Sequence, residues 1–253
     1  MSKYRIVFVR HGESVWTSEN LFCGWVDIGL TDKGREEAKH AGEALNSERL
    51  KFDVAYTSVL TRANDSLEII LKEIEQPELP VTQAWELNER HYGALTGHNK
   101  IEMAVKYGKE QVQIWRRSFD VLPPPMGKDH KYYCHIVNNP KLKSIRDKIP
   151  QTESLKTTML RVIPFWNSAI VPNIKSGKRV LIVCHGTSLR GIVKHIDRMS
   201  DEAVMNLNLP TGIPFIFEFD ADFNPVVSMR FLSDEETVMK AMSKVASIGD
   251  VEK

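Results

Sequence analysis

Residues 4–14 read YRIVFVRHGES, and this stretch decides the fold. Ile6, Val7, Phe8 and Val9 form an unbroken apolar run, the pattern of a strand buried on both faces. The run stops abruptly at Arg10-His11-Gly12. Gly12 permits a sharp turn, and Glu13-Ser14 carry the chain away from the sheet. An arginine and a histidine are thereby presented at the carboxyl end of a strand, the edge where open α/β sheets bind ligands.

The same design recurs downstream. Residues 180–184, VLIVC, form a second buried-strand run that ends in His185-Gly186-Thr187-Ser188. In one parallel sheet, His11 and His185 emerge on the same edge and face each other. Two strand-end His-Gly turns in one chain carry more weight than either alone, since a lone histidine in a turn has no functional meaning by itself.

Outward from these strands, Thr31 is placed to cap a helix that runs to about Leu45. Residues 52–56 read as a strand, followed by a helix carrying Leu60, Leu67, Ile70, Leu71 and Ile74. Arg62 lies in its first turn, where the helix dipole disfavours a cation; solvated surface and anion binding are both open for it. Residues 80–82 offer a short third strand. The polar and aromatic stretch 85–93 has neither helical nor strand period, which marks a functional loop. Residues 99–118 read as helix interrupted at Gly108 and ending in Trp115-Arg116-Arg117, a pair that also serves as C-terminal capping charge.

Residues 119–150 form an irregular insertion with a triple proline and a basic tract at 141–148, to which no regular structure is assigned. Helix resumes near Glu153 and runs toward Pro172, feeding the strand 179–184. A helix over 188–195, a short helix after Asp201, strands at 213–219 and 226–231 and a final helix over 234–246 complete the chain. The expectation is one α/β domain over residues 1–253, with a mostly parallel central sheet and helices on both faces. The insertion at about 119–150 and a mobile C-terminal tail at about 234–253 belong to it.

The 253 residues are ample for a buried core, and a formal charge of +1 exerts no global pull on nucleic acid or membrane. Anion binding must come from locally clustered arginines. The cysteines, Cys23, Cys134 and Cys184, have no metal-binding or disulfide spacing, which points to a reducing, cytoplasmic setting. The first apolar run is too short for a signal peptide, and no run approaches a membrane span. The signatures of nucleotide-binding loops, zinc hydrolases and α/β-hydrolases are missing. Histidines, arginines and a loop carboxylate remain, a set suited to phosphoryl transfer through a phosphohistidine. Arginines would neutralise the phosphoryl oxygens, so no metal is required.

Seven blocks then carry a family resemblance: RHGES at 10–14, TSVLTR at 57–62, LNERHYG at 87–93, WRRS at 115–118, PPPM at 123–126, GKRVLIVCHG at 177–186 and LNLPTGIP at 207–214. In register and over nearly the whole chain, they resemble the cofactor-dependent phosphoglycerate mutases of the histidine phosphatase superfamily. The resemblance implies that His11 is the phosphorylated nucleophile, that Arg10, Arg62 and His185 surround its phosphate, and that Glu89 donates and accepts the proton. It implies a substrate site of Ser14, Cys23, Gly24, Tyr92, Lys100, Arg116 and Arg117, with Arg90 and His91 alongside. Thr17, Gly186 and Thr187 fall at further binding positions.

The implied enzyme is a cytoplasmic, homodimeric isomerase of glycolysis and gluconeogenesis. It acts on small phosphorylated three-carbon acids, interconverting 3-phosphoglycerate and 2-phosphoglycerate, primed by 2,3-bisphosphoglycerate and without metal. Alternatives are mainly bisphosphoglycerate synthase or phosphatase activity, or a weakly active paralogue that binds or regulates. Serine at position 14 favours the mutase, because the synthases typically carry glycine there. Thr17 and Thr187 stand where the family usually has asparagine. A hydroxyl has less reach than an amide and one hydrogen to give, so the expectation is a working but slower enzyme.

Overall fold

The computed structural model describes residues 2–247. The buried runs of the sequence meet in a six-stranded sheet: β1 (Tyr4–Arg10), β2 (Val54–Thr57), β3 (Val81–Gln83), β4 (Val180–Cys184), β5 (Phe215–Phe219) and β6 (Pro225–Phe231). Their order is β3-β2-β4-β1-β5-β6. β1, β4, β2 and β3 pair in parallel, while β5 is antiparallel to both β1 and β6 and so runs alone against the rest. The single-turn α1 (Val15–Ser18) and then α2 (Asp32–Ser47) link β1 to β2, and α3 (Thr61–Glu73) links β2 to β3. The long excursion from β3 to β4 holds α4 (Lys100–Tyr107), α5 (Lys109–Arg117), α6 (Tyr133–Val137), α7 (Leu155–Phe165) and α8 (Val171–Lys175). α9 (Gly186–Asp197) and α10 (Asp201–Met205) lead to β5, and α11 (Glu235–Ser247) follows β6.

β1 and β4 lack polar alternation because both of their faces are covered. Val7, Val9, Leu181 and Val183 pack against α2 and α3 through Ala41, Leu45, Leu67 and Ile70. The alternate residues Ile6, Phe8, Val180 and Ile182 pack on the other face against Leu155 and Val162 of α7 and Leu189 and Ile192 of α9. The period of two along each strand thus splits the core into two layers.

Local chemistry sets the helix ends. Thr31 caps α2, its hydroxyl accepting from the Gly34 N–H at 3.0 Å. Gly108, at φ +90°, separates α4 from α5 at the expected interruption. Ser154 and Thr157 form a reciprocal capping box at the start of α7. A π-helical turn, Trp166–Ile170, then joins α7 to α8, so the helix expected from Glu153 to Pro172 becomes three consecutive pieces.

The insertion corrects the sequence reading. Residues 119–150 hold α6 and a 3₁₀ segment, Pro140–Lys148, which Asn139 caps through its side chain on the Lys141 N–H. Ile136, Leu142 and Ile145 bury against Trp25 and Met126. Segments this short do not complete a helical period in sequence, so tertiary packing alone defines them. Of the expected tail, 248–253 lie outside the described residues, and 235–247 are the helix α11.

The turn after β1 is held by a close approach of two glycines. A Cβ built on Gly12 would lie 2.0 Å from the Gly34 carbonyl oxygen, and one on Gly34 would lie 2.0 Å from the Glu13 carbonyl oxygen. The first turn of α2 therefore presses directly on the backbone beside His11. Gly34→Ala should destabilise the fold by about 2 kcal/mol or more, the scale of overpacking against rigid backbone. Urea unfolding measures it, and a midpoint equal to wild type would show that the two segments part freely.

Candidate active site

The β1–β4 register sets Arg10 opposite Cys184, so the next residues, His11 and His185, leave the sheet side by side. Their ring centroids are 4.8 Å apart at an interplanar angle of 65°. His11 Nδ1 lies 2.7 Å from the Gly12 carbonyl oxygen. A carbonyl only accepts, so Nδ1 carries the proton and the Nε2 lone pair is left for an electrophile. His185 Nε2 lies 2.7 Å from Ser58 Oγ, which already accepts from the Leu60 N–H at 3.1 Å. The Ser58 hydroxyl can donate to that ring nitrogen or accept from it, while His185 Nδ1 is buried without a partner.

Burial, reinforced by the Arg62 and Arg10 guanidinium groups, holds the His11 imidazole well below its ordinary range, against the small opposing effect of the Gly12 bond. Burial followed by Arg62 and His11 does the same to His185. Both rings are neutral at neutral pH.

A cavity of about 100 Å³ opens in front of His11, with room for a small anion. Arg62 is 1% exposed, so it is not a solvated surface residue; its guanidinium donates to the carbonyls of Gly24 (2.8 Å) and Val26 (3.2 Å). Arg10 donates to the Leu209 carbonyl at 2.7 Å and keeps a buried Nε without a partner. A Cβ on Gly186 would come within 3.3 Å of that Nε, so glycine keeps the approach open.

Arg116 and Arg117 arrive from the end of α5, Arg117 donating to the Val245 carbonyl at 3.1 Å. Lys100 donates to the Leu21 carbonyl at 2.6 Å, and burial pushes its amine down to about 7. Burial also lowers Arg10 and Arg117. Cations depressed together in one cavity leave it in need of negative charge.

Among the described residues lining the cavity, Glu89 is the single carboxylate. Its Oε1 accepts from the backbone N–H of Arg90 at 2.7 Å and of Thr187 at 3.3 Å. One oxygen is thereby anchored and the other is left to exchange a proton. Tyr92, Cys23, Thr17, Gly186 and Thr187 complete much of the wall. Ser14 stands behind it, capping α1, with its Oγ 2.9 Å from Thr17 Oγ1 and 3.7 Å from Cys23 Sγ. Gly24 contributes the carbonyl that anchors Arg62.

Like Ser14, Gly24 and His185, the expected site residues Arg90 and His91 are not part of the cavity lining. Arg90 is fully buried, and its guanidinium donates to the Trp115 carbonyl at 3.1 Å and to the Arg116 carbonyl, closing the end of α5. His91 accepts from the Gly93 N–H at 3.0 Å, and its own N–H donates to Glu153 Oε2 at 2.8 Å. Both shape the wall from behind.

Sequence reasoning missed Arg190, which lines the cavity from α9 and is brought down to about 9 by burial, then by Arg117 and Arg90. The signal was available: positions 186, 187 and 190 share one helical face next to the His185 strand end. Ser58 and Val245 were also missed. Among the described residues, no group of three or more His, Cys, Asp or Glu is placed to hold a metal ion.

The buried histidines give stability a direction in pH. His91 is held at about 4, with burial the main cause, and His11 and His185 are also lowered. In the unfolded chain a histidine titrates near 6.5. Above about pH 6.5 both states are neutral and stability is complete. Below it the unfolded chain takes up protons that the fold refuses, and stability falls by about 1.4 kcal/mol per pH unit for each histidine. In His185→Gln, the slope of unfolding free energy between about pH 6 and 5 should be shallower by one proton. Denaturant titrations at several pH values measure this, and an unchanged slope would contradict the neutral assignment.

Comparison with known proteins agrees with this geometry. Residues 6–138 and 130–231 match the histidine phosphatase superfamily (branch 1). The chain is 50% identical over 247 residues to the 2,3-bisphosphoglycerate-dependent phosphoglycerate mutase of Borreliella burgdorferi (strain ZS7), covering 97% of this chain and 98% of that protein. The structure of phosphoglycerate mutase from Bacillus anthracis str. Sterne aligns with a TM-score of 0.66 at 20% identity, over 98% of each chain. Bacillus stearothermophilus YhfR aligns at 0.67 and 22% identity, over 89% of this chain and 96% of that one. These two structures speak for the fold alone. The sequence matches, which run almost from end to end, place the chain in the histidine phosphatase superfamily as a member of its 2,3-bisphosphoglycerate-dependent phosphoglycerate mutase family.

Proposed function

We propose that the protein interconverts 3-phosphoglycerate and 2-phosphoglycerate by passing a phosphoryl group through His11 Nε2. One observation carries the reading: a neutral imidazole with a free Nε2 faces a cavity ringed by buried cations and a single anchored carboxylate. 2,3-Bisphosphoglycerate primes the enzyme by transferring a phosphoryl group to Nε2. The bond from phosphorus to the substrate oxygen breaks as the N–P bond forms, and Glu89 returns a proton to the departing alkoxide. In the second half, Glu89 removes the proton from the hydroxyl of the monophosphate acceptor as that oxygen attacks the phosphohistidine.

Arg10 and Arg62 supply the charge that stabilises the transferring group, and the neutral His185 ring adds a hydrogen bond, work a divalent ion does elsewhere. Lys100, Arg116, Arg117 and Arg190 are left for the carboxylate and the second phosphate. The family likeness extends the reading to a homodimer working in the cytoplasm, in glycolysis and gluconeogenesis, on small phosphorylated three-carbon acids. No helix among the described residues is long and apolar enough to cross a membrane.

Purified protein should show mutase activity that depends on 2,3-bisphosphoglycerate and is unchanged by a chelator. It should also form an acid-labile, base-stable phosphoenzyme that His11→Ala does not form. Full activity without the bisphosphate, or label retained by the variant, would overturn the assignment.

A second expectation concerns α11, in which Val238 is the one buried residue. Val245 lines the cavity and its carbonyl binds Arg117, while Lys244 pairs with Glu13 at 3.2 Å. The helix thus closes one side of the site against water. Truncation after Ser233 should lower mutase activity several-fold more than hydrolysis of 2,3-bisphosphoglycerate. Steady-state assays of both reactions measure this; equal losses would make α11 a scaffold only.

A further inference from the structure

We propose that Arg161, which does not touch the cavity, is a positioning residue that sets where the Glu89 carboxylate points. The inference rests on the acid–base role proposed above for Glu89. The loop that carries Glu89 has no sheet ladder to fix it. Its carbonyl groups converge instead on one guanidinium. Arg161 Nη1 donates to the carbonyls of Glu86 (2.7 Å) and Asn88 (2.9 Å), and Nη2 donates to that of Glu89 (3.0 Å). The remaining two hydrogens go to Glu153, from Nε to Oε1 at 2.8 Å and from Nη2 to Oε2 at 2.9 Å. All five N–H groups of the arginine are engaged. The side chains of the pair are 7% and 4% exposed.

Glu153 ties the next turn of the loop to the same pair. Its Oε2 accepts from the His91 N–H at 2.8 Å, and its own N–H donates to the His91 carbonyl at 2.8 Å. The Trp25 indole lies against the Arg161 guanidinium at 5.4 Å and donates its N–H to the Glu89 carbonyl at 2.5 Å. With the Glu89 carbonyl turned inward onto two donors, the side chain is left to project to the opposite side, into the cavity. Arg161 itself is fixed in α7, two turns from the Ser154 capping box.

A buried ion pair is weak evidence for stability by itself, because desolvation offsets the attraction. This pair has a different use, since three of the five donors go to loop backbone. Lysine cannot replace it: a compact ammonium has three donors and no planar fork. A misplacement of about 1 Å at a reacting group can cost on the order of a hundredfold in rate.

The test is a double-mutant cycle on the full-length enzyme. Arg161→Lys should lower kcat about tenfold or more and leave KM for 3-phosphoglycerate within about twofold, because the substrate-facing cations are untouched. In a Glu89→Gln background the same change should lower kcat less than twofold, as the group it positions is already gone. A merely structural arginine would cost the same in both backgrounds. Where Arg161→Lys is too unstable to purify, the isosteric Glu153→Gln goes through the same cycle with the same expectation. Equal losses in the two backgrounds, or wild-type kcat in the single variant, overturn the positioning role alone. Full activity of Glu89→Gln by itself overturns the acid–base assignment and this inference with it.

Discussion

Two imidazoles kept neutral by burial among guanidinium groups are the interaction on which the site depends. Water would protonate the rings below about pH 6.5 and would screen the arginines. Excluding it costs free energy on both counts, and the fold offsets that cost with the two apolar layers that flank β1 and β4. The rings leave the paired ends of β1 and β4 and are held there by the Gly12 carbonyl and the Ser58 hydroxyl. The crowded cations make the empty cavity electrostatically unfavourable, and a doubly or triply charged anion relieves this. Affinity for phosphate and reactivity of the imidazole thus have one source.

The wall opposite the histidines is built on another principle. The loop from 85 to 93 has no ladder of its own, and its polar backbone must be satisfied from outside. Arg161, Glu153, Ser188 and Trp25 do so from neighbouring elements, Ser188 through its hydroxyl on the Asn88 carbonyl at 2.5 Å. Arg90 reaches from the loop to the end of α5, so the segments that carry Glu89 and the arginine pair at 116 and 117 are mechanically joined. Neither buried arginine lines the cavity, yet each is bonded to the backbone of a residue that does.

The sheet and the histidine pair were legible because each depends on a local pattern: an apolar run, a stop, and a glycine turn. Thr31 and Gly108 were legible for the same reason, since a cap and a break are properties of a few adjacent residues. Arg90 and His91 came with the family block at 87–93, whose Glu89 and Tyr92 line the cavity, but neighbours in an irregular loop can face cavity or interior. Arg161 and Glu153 carry no local signature at all. Glu153 is an ordinary charged residue just before α7 and Arg161 another within it, until three dimensions bring the loop backbone to them. The short helices between 119 and 150 were invisible because Ile136, Leu142 and Ile145 pack in a cluster with Trp25 and Val26, which are distant in sequence.

The strand order has a consequence for how the chain is made. β1 precedes the other five described strands, yet its two neighbours, β4 and β5, are encoded after residue 179. Until they are made, the apolar run of β1 has no partner, and both edges of its backbone are open to other chains. The sheet cannot close until β4 inserts between β1 and β2 and β5 comes down on the other side. Folding is therefore dominated by long-range pairing and is intrinsically slow. The paired imidazoles of His11 and His185 therefore come together only once β4 has docked along β1, so the site is assembled by the same long-range pairing that closes the sheet.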